Sequence, residues 1–413
     1  MANKLYEESS ISDIADAIRE KNGSSNTYTV AQMGNAVRAI PSGGGSGDYG
    51  RIVIGTSTAG HTAADCDYLC DGVNDEVEIN LALADDPTEI HFLAGTYNCS
   101  ASVQINQRTY CAIDCRNKTV LFTGEGVDLD HVAPLSEIVF VDNASRRTLF
   151  TGGSLSFNSL CIRGNSENGC VGNGIVSDSR YGIINNCWFD YLGVCVQTSS
   201  SGAKLTTVVQ NCEFGYLGGM FTFTSRSAAP VGIKLRSAFV HNNVFKGGVG
   251  IETGGSVAYT ISDNLFIIGC IGINDVSDGV AANNAIGGRI ITGNRFALPL
   301  TSEVGAADTA EMVAYLKSHY EAAIETDCGL KMSINNNNFM TNSYARSLYD
   351  SDGTTLNGIV VNAMTAVYSE AFCCVGNNFQ GICSAIPVDA TNPPSRYVIA
   401  NNVEFDPAVD WAV

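Results

Sequence analysis

The amino-acid sequence predicts a mainly β chain, wound from about Arg51 to the C-terminus into a right-handed parallel β-helix. Three observations carry that expectation. A four-residue turn ending in Phe recurs along the second half of the chain. The segments after each Phe alternate apolar and variable side chains, the period of a strand with one buried side. Gly is abundant (43 residues) and Pro scarce (9), the balance of many turns and little helix, since Gly adopts the backbone conformations tight turns need.

The turn runs Asn186-Cys187-Trp188-Phe189, Asn211-Cys212-Glu213-Phe214, Asn242-Asn243-Val244-Phe245, Asp263-Asn264-Leu265-Phe266 and Gly293-Asn294-Arg295-Phe296. It returns as Asn336-Asn337-Asn338-Phe339, as Gly376-Asn377-Asn378-Phe379 and, with one residue inserted, between Asn401 and Phe405. Successive Phe residues lie 25, 31, 21, 30, 43, 40 and 26 positions apart, and periods of roughly 20–50 residues mark stacked repeats. Asn tolerates the left-handed conformation and bonds to nearby backbone, so stacked Asn side chains are expected to form a ladder along the axis. Phe, three positions on, is expected to point inward and stack on the Phe of the next coil, with strands ~4.8 Å apart. Cys187 and Cys212 share the slot of Asn243 and Asn264, which places them in the core.

Ahead of the solenoid, residues 1–41 read as two short helices. Ile11, Ile14, Ala15 and Ile18 recur at helical spacing behind a Ser10/Asp13 start, and Asn22-Gly23 stops the run. Met33, Ala36, Val37 and Ile40 line a second helix that Pro41 ends. Helices this short need a partner surface, so the segment is expected to dock or oligomerise. The run ISDIADAIREKNG…YTVAQMGNAVRAIP resembles a helical module near the N-termini of tail and other virion proteins of phages that infect Gram-positive bacteria. Residues 42–50, SGGGSGDYG, read as a flexible linker.

From Arg51 the pattern is β. The stretch DYLCDGVNDEVEINLALADDPTEIHFLAGTYN, from Asp67 to Asn98, reads turn, helix, strand and turn. The helix is expected at about residues 75–84, with Asp75 and Glu78 capping it reciprocally. This stretch resembles the opening of pectate-lyase-like (pectin-lyase-fold) β-helix proteins, in which a CDG-type helix plugs the end of the solenoid. A second helix is expected over residues 308–324, behind an Asp308/Glu311 capping box, as an insertion between coils. Residues 341–358 read as a long loop rich in Tyr, Asp and Arg. Excursions from a solenoid gather on one face, often the binding face.

Composition narrows the function. With 42 acidic and 23 basic residues the chain carries a formal charge of −19, a surface that repels phosphate backbones and disfavours nucleic acid. It suits neutral or amine-bearing glycans better than anionic ones. The polar start MANKLYEESS has no secretory pattern, and no apolar run reaches the ~18 residues of a membrane span. The 15 Cys lack the paired spacing of a zinc site, although Cys66/Cys70 and Cys111/Cys115 lie four apart; they read as small buried hydrophobes in a reduced protein. No metal and no cofactor is assigned.

Alternation in the strands after each Phe leaves Gln197, Thr222, Glu252 and Asn274 facing out, followed by Asp275 and Asp278. Glu252 and Asp275 are expected about one rung apart, roughly 5 Å. Glycosidase carboxyls stand ~5–5.5 Å apart in retaining enzymes and ~6.5–9.5 Å apart in inverting ones. Glu252 with Asp275 or Asp278 is therefore the candidate catalytic set, against a plain acidic, solvated face. Lys234 and Arg236, projecting from VGIKLRS, and the loop aromatics Tyr344 and Tyr349 are the candidate glycan contacts. The five scattered His (His61, His91, His131, His241, His319) make no nucleophilic constellation.

The two resemblances together imply a phage tail spike or tail fibre protein, homotrimeric. It would bind host cell-surface polysaccharide, and residues 1–41 would engage other tail or baseplate proteins. Such a protein is made in the host cytoplasm and carried on the virion, without insertion into a membrane. Tailspikes often carry a distinct C-terminal trimerisation domain, which is not legible here, so association would fall to the helix faces or to residues 1–41. A polysaccharide-degrading enzyme, hydrolase or lyase, is the alternative of a different class. A purely structural virion protein is the third.

Overall fold

The computed structural model describes residues 50–105, 120–126, 135–142, 147–152, 155–177, 181–198, 206–215, 223–275, 288–299, 301, 306–326, 332–340, 358–361, 372–380, 397–400 and 402–405. The helices expected over residues 1–41 and the linker 42–50, apart from Gly50, lie outside them. Gly50 already belongs to the solenoid, since its carbonyl accepts from the Glu89 amide at 3.0 Å.

The solenoid is the right-handed parallel β-helix that the repeat predicts. Each regular coil adds one strand to each of three faces, and every described strand pairing is parallel. Face I includes Val194–Thr198, the first halves of Val231–His241 and Val249–Ser262, then Ile271–Asp275 and Ala322–Thr326. Face II includes Tyr181–Asn185, Thr206–Gln210, the second halves of the same two long strands, Arg289–Thr292 and Met332–Asn335. Face III is a separate sheet of 11 strands that runs from Gly95–Cys99 to Val403–Phe405.

The turn from face II to face III holds the architecture. Its first residue is left-handed at Asn186, Asn211, Asn242, Asp263, Gly293, Asn336 and Gly376, with φ between 51° and 70°, where Asn, Asp and Gly carry the least steric penalty. Its second residue turns inward. Asn243, Asn264, Asn294, Asn337 and Asn377 are all buried. Each donates its Nδ2 to the Oδ1 of the next member at 2.9–3.0 Å, Asn402 closing the series. The same Oδ1 atoms accept the backbone amide of the preceding member. Cys187 and Cys212 fill this slot in the earlier coils and are buried as expected.

Two positions on, Phe189, Phe214, Phe245, Phe266, Phe296, Phe339 and Phe379 form one stack. Their ring centroids are 4.6–5.0 Å apart and their planes lie within 9° of parallel. Burying each ring stabilises the fold by roughly 1.5–3 kcal/mol. Gly250 makes room for the stack, because a Cβ there would stand 2.8 Å from the Phe266 ring and 2.6 Å from the Gly272 carbonyl. The last turn departs from expectation. Asn402 keeps the ladder slot, so the inserted residue moves Phe405 out of register and Glu404 opposes Phe379.

Helix α1 (Glu76–Ala84) and helix α2 (Thr309–His319) are the two helices described. Ile79 and Ala82 of α1 are fully buried. Asn80 donates to Ser102 O and accepts from Gln104 N, so it occupies backbone groups along the strand Val103–Ile105. The reciprocal Asp75/Glu78 cap does not form. Asp75 accepts instead from the amides of Gly72 and Asn98, at 2.8 and 2.6 Å, and so ties the turn to the strand Gly95–Cys99. In α2 the Asp308 carboxylate does cap the Glu311 amide, at 2.9 Å. The helix stops at His319 rather than residue 324, because Ala322 and Ile324 pair in register with Ile271 and Ile273. Among the described residues no helix is long and apolar enough to cross a membrane.

Replacing Asn294 by Ala strands the buried Asn264 amide and takes the side-chain donor from the Ile261 carbonyl, while Asn337 Oδ1 keeps the residue-294 backbone amide. Each orphaned group costs about 1–3 kcal/mol. Urea denaturation should therefore show a loss of about 3 kcal/mol or more at an unchanged slope. Asn336→Gly should change stability by less than about 1 kcal/mol, since Gly is at home in the left-handed conformation that slot requires.

Candidate functional site

Face I presents one outward row, one residue per coil. Gln197, Lys234, Glu252, Asn274 and Glu325 are successive Cα partners along it. Strand alternation dictates their exposure, because the flanking Ile233, Ile251, Ile273 and Ile324 are fully buried. Lys234 takes the slot expected for Thr222, whose residue lies outside those described. The strand at this coil is Val231–His241, and Phe223 belongs to the apolar cluster of Val231, Val249, Cys270 and Ile271.

Two ion pairs bracket the row. Lys234 Nζ meets Glu252 Oε1 at 2.5 Å. Arg226 rises from the short 3-10 turn Arg226–Ala228 and binds Glu325 at 2.8 Å and Glu321 at 2.5 Å. It thus reaches from the coil of Lys234 to that of Glu325, three rungs or ~14 Å along the axis. Between the pairs lies Asn274, whose Oδ1 is buried and has no hydrogen-bond partner among the described residues. The order along the strip is cation, acid, amide, acid, cation.

Helix α2 packs beside the strip. Phe223 meets His319 edge-on at 5.2 Å, and His319 stacks on Tyr315 at 4.3 Å. Glu321, which follows α2, donates its amide to the Cys270 carbonyl at 3.0 Å. Burial pushes the Cys270 thiol up to about 12 and raises the Tyr315 phenol, so these two groups stay protonated and the wall offers no thiolate.

Of the residues proposed from sequence, Glu252 and Lys234 come together on the strip. Asp275 does not join them. It follows Asn274, so alternation turns it inward, and it is 1% exposed. It accepts from Thr326 at 2.9 Å and from Thr253, and pairs with the equally buried Arg289 at 3.3 Å. Burial raises its carboxyl, with Arg289 and the hydroxyls opposing. Asp278, Tyr344 and Tyr349 lie outside the described residues. Arg236 sits where the pairing shifts register between Leu235 and Ser237. Sequence reasoning missed Glu325 and Arg226. The strand AAIET was hidden under the overlong helix, although its match to IGIND was the available signal.

A second acidic group, Cys70, Asp75 and Glu78, has its ligand-type atoms within 4.8 Å of one another. Both Asp75 oxygens are taken by backbone amides, and burial raises the Cys70 thiol and both carboxyls. Its atoms serve the opening turn.

No family model and no curated protein sequence matches the chain. Among solved structures it is similar to the tailspike protein of E. coli bacteriophage HK620, in a mutant form and in complex with pentasaccharide. Both comparisons give 12% identity and a TM-score of 0.49, over 81% of this chain and 63% of that one. The chain thus spans under two thirds of the tailspike's length. It is also similar to the A-module of the mannuronan C-5 epimerase AlgE6 from Azotobacter vinelandii, at 14% identity and a TM-score of 0.38, over 82% of this chain and 97% of that one.

Asp275 has the surroundings of a structural group, and this can be checked. Asp275→Ala leaves Arg289 buried without its carboxylate, a loss of about 3–5 kcal/mol in chemical denaturation, and adding Arg289→Met should restore most of it. Because the folded carboxyl is raised, the proton-linked part of its stabilisation is full below the unfolded carboxylate range. It is lost as pH rises through the elevated value.

Proposed function

We propose that the chain is a receptor-binding protein of a phage tail, spike or fibre, that recognises host cell-surface polysaccharide along face I. The observation that carries this reading is the straight polar strip from Lys234 to Glu325, with Asn274, whose Oδ1 has no partner among the described residues, at its middle and α2 as its wall. Polysaccharides are long and regular, and their hydroxyls both donate and accept. A strip that alternates donors and acceptors at a rung spacing of ~4.8 Å matches that chemistry. The N-terminal segment supports the same reading, since residues 1–41 resemble virion attachment modules and would bind neighbouring tail or baseplate proteins. The protein would act on the virion as a homotrimer.

A second reading is favoured by one observation. Glu252 and Glu325 stand two rungs apart with only Asn274 between them, a backbone separation of ~9.6 Å. Side chains leaning together from that spacing would reach the ~6.5–9.5 Å that inverting glycoside hydrolysis needs to hold a water opposite the scissile bond. Glu325 takes the place that sequence reasoning had given to Asp275.

A screen of purified protein against surface glycans of candidate hosts should identify a binder. Asn274→Ala or Arg226→Ala should weaken that binding about ten-fold or more while the melting temperature holds. Binding that survives both changes at full strength would move the site off face I. If the bound glycan is also cut, Glu252→Gln and Glu325→Gln should each abolish release of reducing ends while retaining binding. Unchanged release in either variant removes the hydrolase reading.

A further inference from the structure

Helix α1 is apolar on both sides. Ile79 and Ala82 are fully buried against the solenoid, yet the exposed residues of Glu76–Ala84 are Val77, Leu81 and Ala84. They recur at i, i+4 and i+7, the spacing of a single ridge along a helix. Val73 precedes them in the entry turn. Val73, Val77 and Leu81 are 67%, 52% and 54% exposed, the most exposed large hydrophobics among the described residues. Helix α2 differs, since it exposes Ala310, Glu311, Ala314 and Ser318 and no large apolar side chain. A surface helix turns polar residues to water, and one that is apolar all round is normally covered all round. Among the described residues a cleft of about 540 Å³ adjoins the end of the ridge, lined by Leu83, Ala84, Ile105 and Val120 with Asn80 and Asp86 at its side. It has room for a partner's side chain.

The charge around the ridge is of one sign. Residues 52–107 contain nine Asp and Glu and no Lys or Arg. These 56 of the 413 residues thus carry a formal −9 of the chain's −19. Asp71 and Asp86 are exposed at the two ends of α1, and Glu78 and Asp85 are half-buried beside its apolar residues.

We infer that the outer ridge of α1 docks a basic amphipathic helix of another protein. The ridge sets the shape of the occupant, because side chains at i, i+4 and i+7 pack into the grooves of a second helix. Burial of Val77 and Leu81 against its apolar stripe drives the contact. The acids set its charge. A second copy would bring −9 against −9, and phosphate-bearing lipid surfaces and nucleic acids are repelled in the same way. Lys and Arg on the flanks of the incoming helix are attracted instead, and they orient it along the ridge. The site is separate from face I, so either reading can fail alone.

The test uses the full chain under reducing conditions and two designed helical peptides as probes, one patterned with Leu and Lys, the other with Leu and Glu. Fluorescence anisotropy should show the Leu/Lys peptide binding and the Leu/Glu peptide not. Changing Val77→Gln together with Leu81→Gln should weaken binding about ten-fold or more at an unchanged melting temperature, since both side chains lie outside the core. Phe239→Gln, an exposed apolar control on face II, should leave it unchanged. A wild type that ignores the Leu/Lys peptide overturns the inference. So does equal binding of the Leu/Glu peptide, or a loss in the Phe239 variant as large as in the ridge variant. Sedimentation should give the wild type and the ridge variant the same mass; a lower mass for the variant assigns the ridge to a second copy. Anionic phosphatidylglycerol vesicles should retain neither protein, and retention of the wild type alone assigns the ridge to lipid. Either outcome also overturns the inference.

Discussion

A buried primary amide can be satisfied inside a protein only by groups that donate and accept in the right places, and stacked coils provide another amide. Asn243, Asn264, Asn294, Asn337 and Asn377 each meet this condition by bonding to the next. Each of these Asn needs the following coil to supply an amide oxygen in the same register or its Nδ2 loses a buried partner, whereas the preceding coil need offer only a backbone amide, as Cys212 does to Asn243. The residue before must then be left-handed to aim the amide inward, and the strand after it starts at a set phase. That phase points every Phe of the motif at the axis. The Phe stack is thus a consequence of the ladder as well as a source of burial energy.

Because that corner is held so tightly, variation is displaced to the other corners. The excursion carrying Arg226 and the insertion that forms α2 both enter before a strand of face I, and they meet over its outer row. The result is a division of labour around the axis. One face gathers ion pairs around Asn274, one carries the ladder corner, and one closes the core with aromatic rings. Solenoids make this possible because a single position in the repeat becomes a row tens of ångströms long.

Interior polar groups follow the same logic. Cys70, Cys99, Cys161, Cys195, Cys270 and Cys374 are buried, and desolvation raises their thiols, so they act as small apolar side chains. Asp275 is tolerated inside because Arg289, Thr253 and Thr326 surround it. Its position on the next residue after an outward Asn is a reminder that acidic character alone says nothing about which side of a strand a residue takes.

The sequence by itself determined the solenoid, because Asn-x-x-Phe encodes a turn and an inward ring within four residues and repeats them. It also located α1, Glu252, Lys234 and the buried Cys187 and Cys212, all governed by local alternation or slot identity. Only the tertiary structure decided which acids meet. Glu325 and Arg226 lie 73 and 8 positions from Glu252 and Lys234 in sequence, and pairing across insertions of unequal length brings them to one strip. Asp75 was likewise drawn from the helix it precedes to the amides of Gly72 and Asn98, one of them 23 residues away. Local pattern specifies the rung; the register between rungs is set by the ladder, whose partners lie 21 to 43 residues apart.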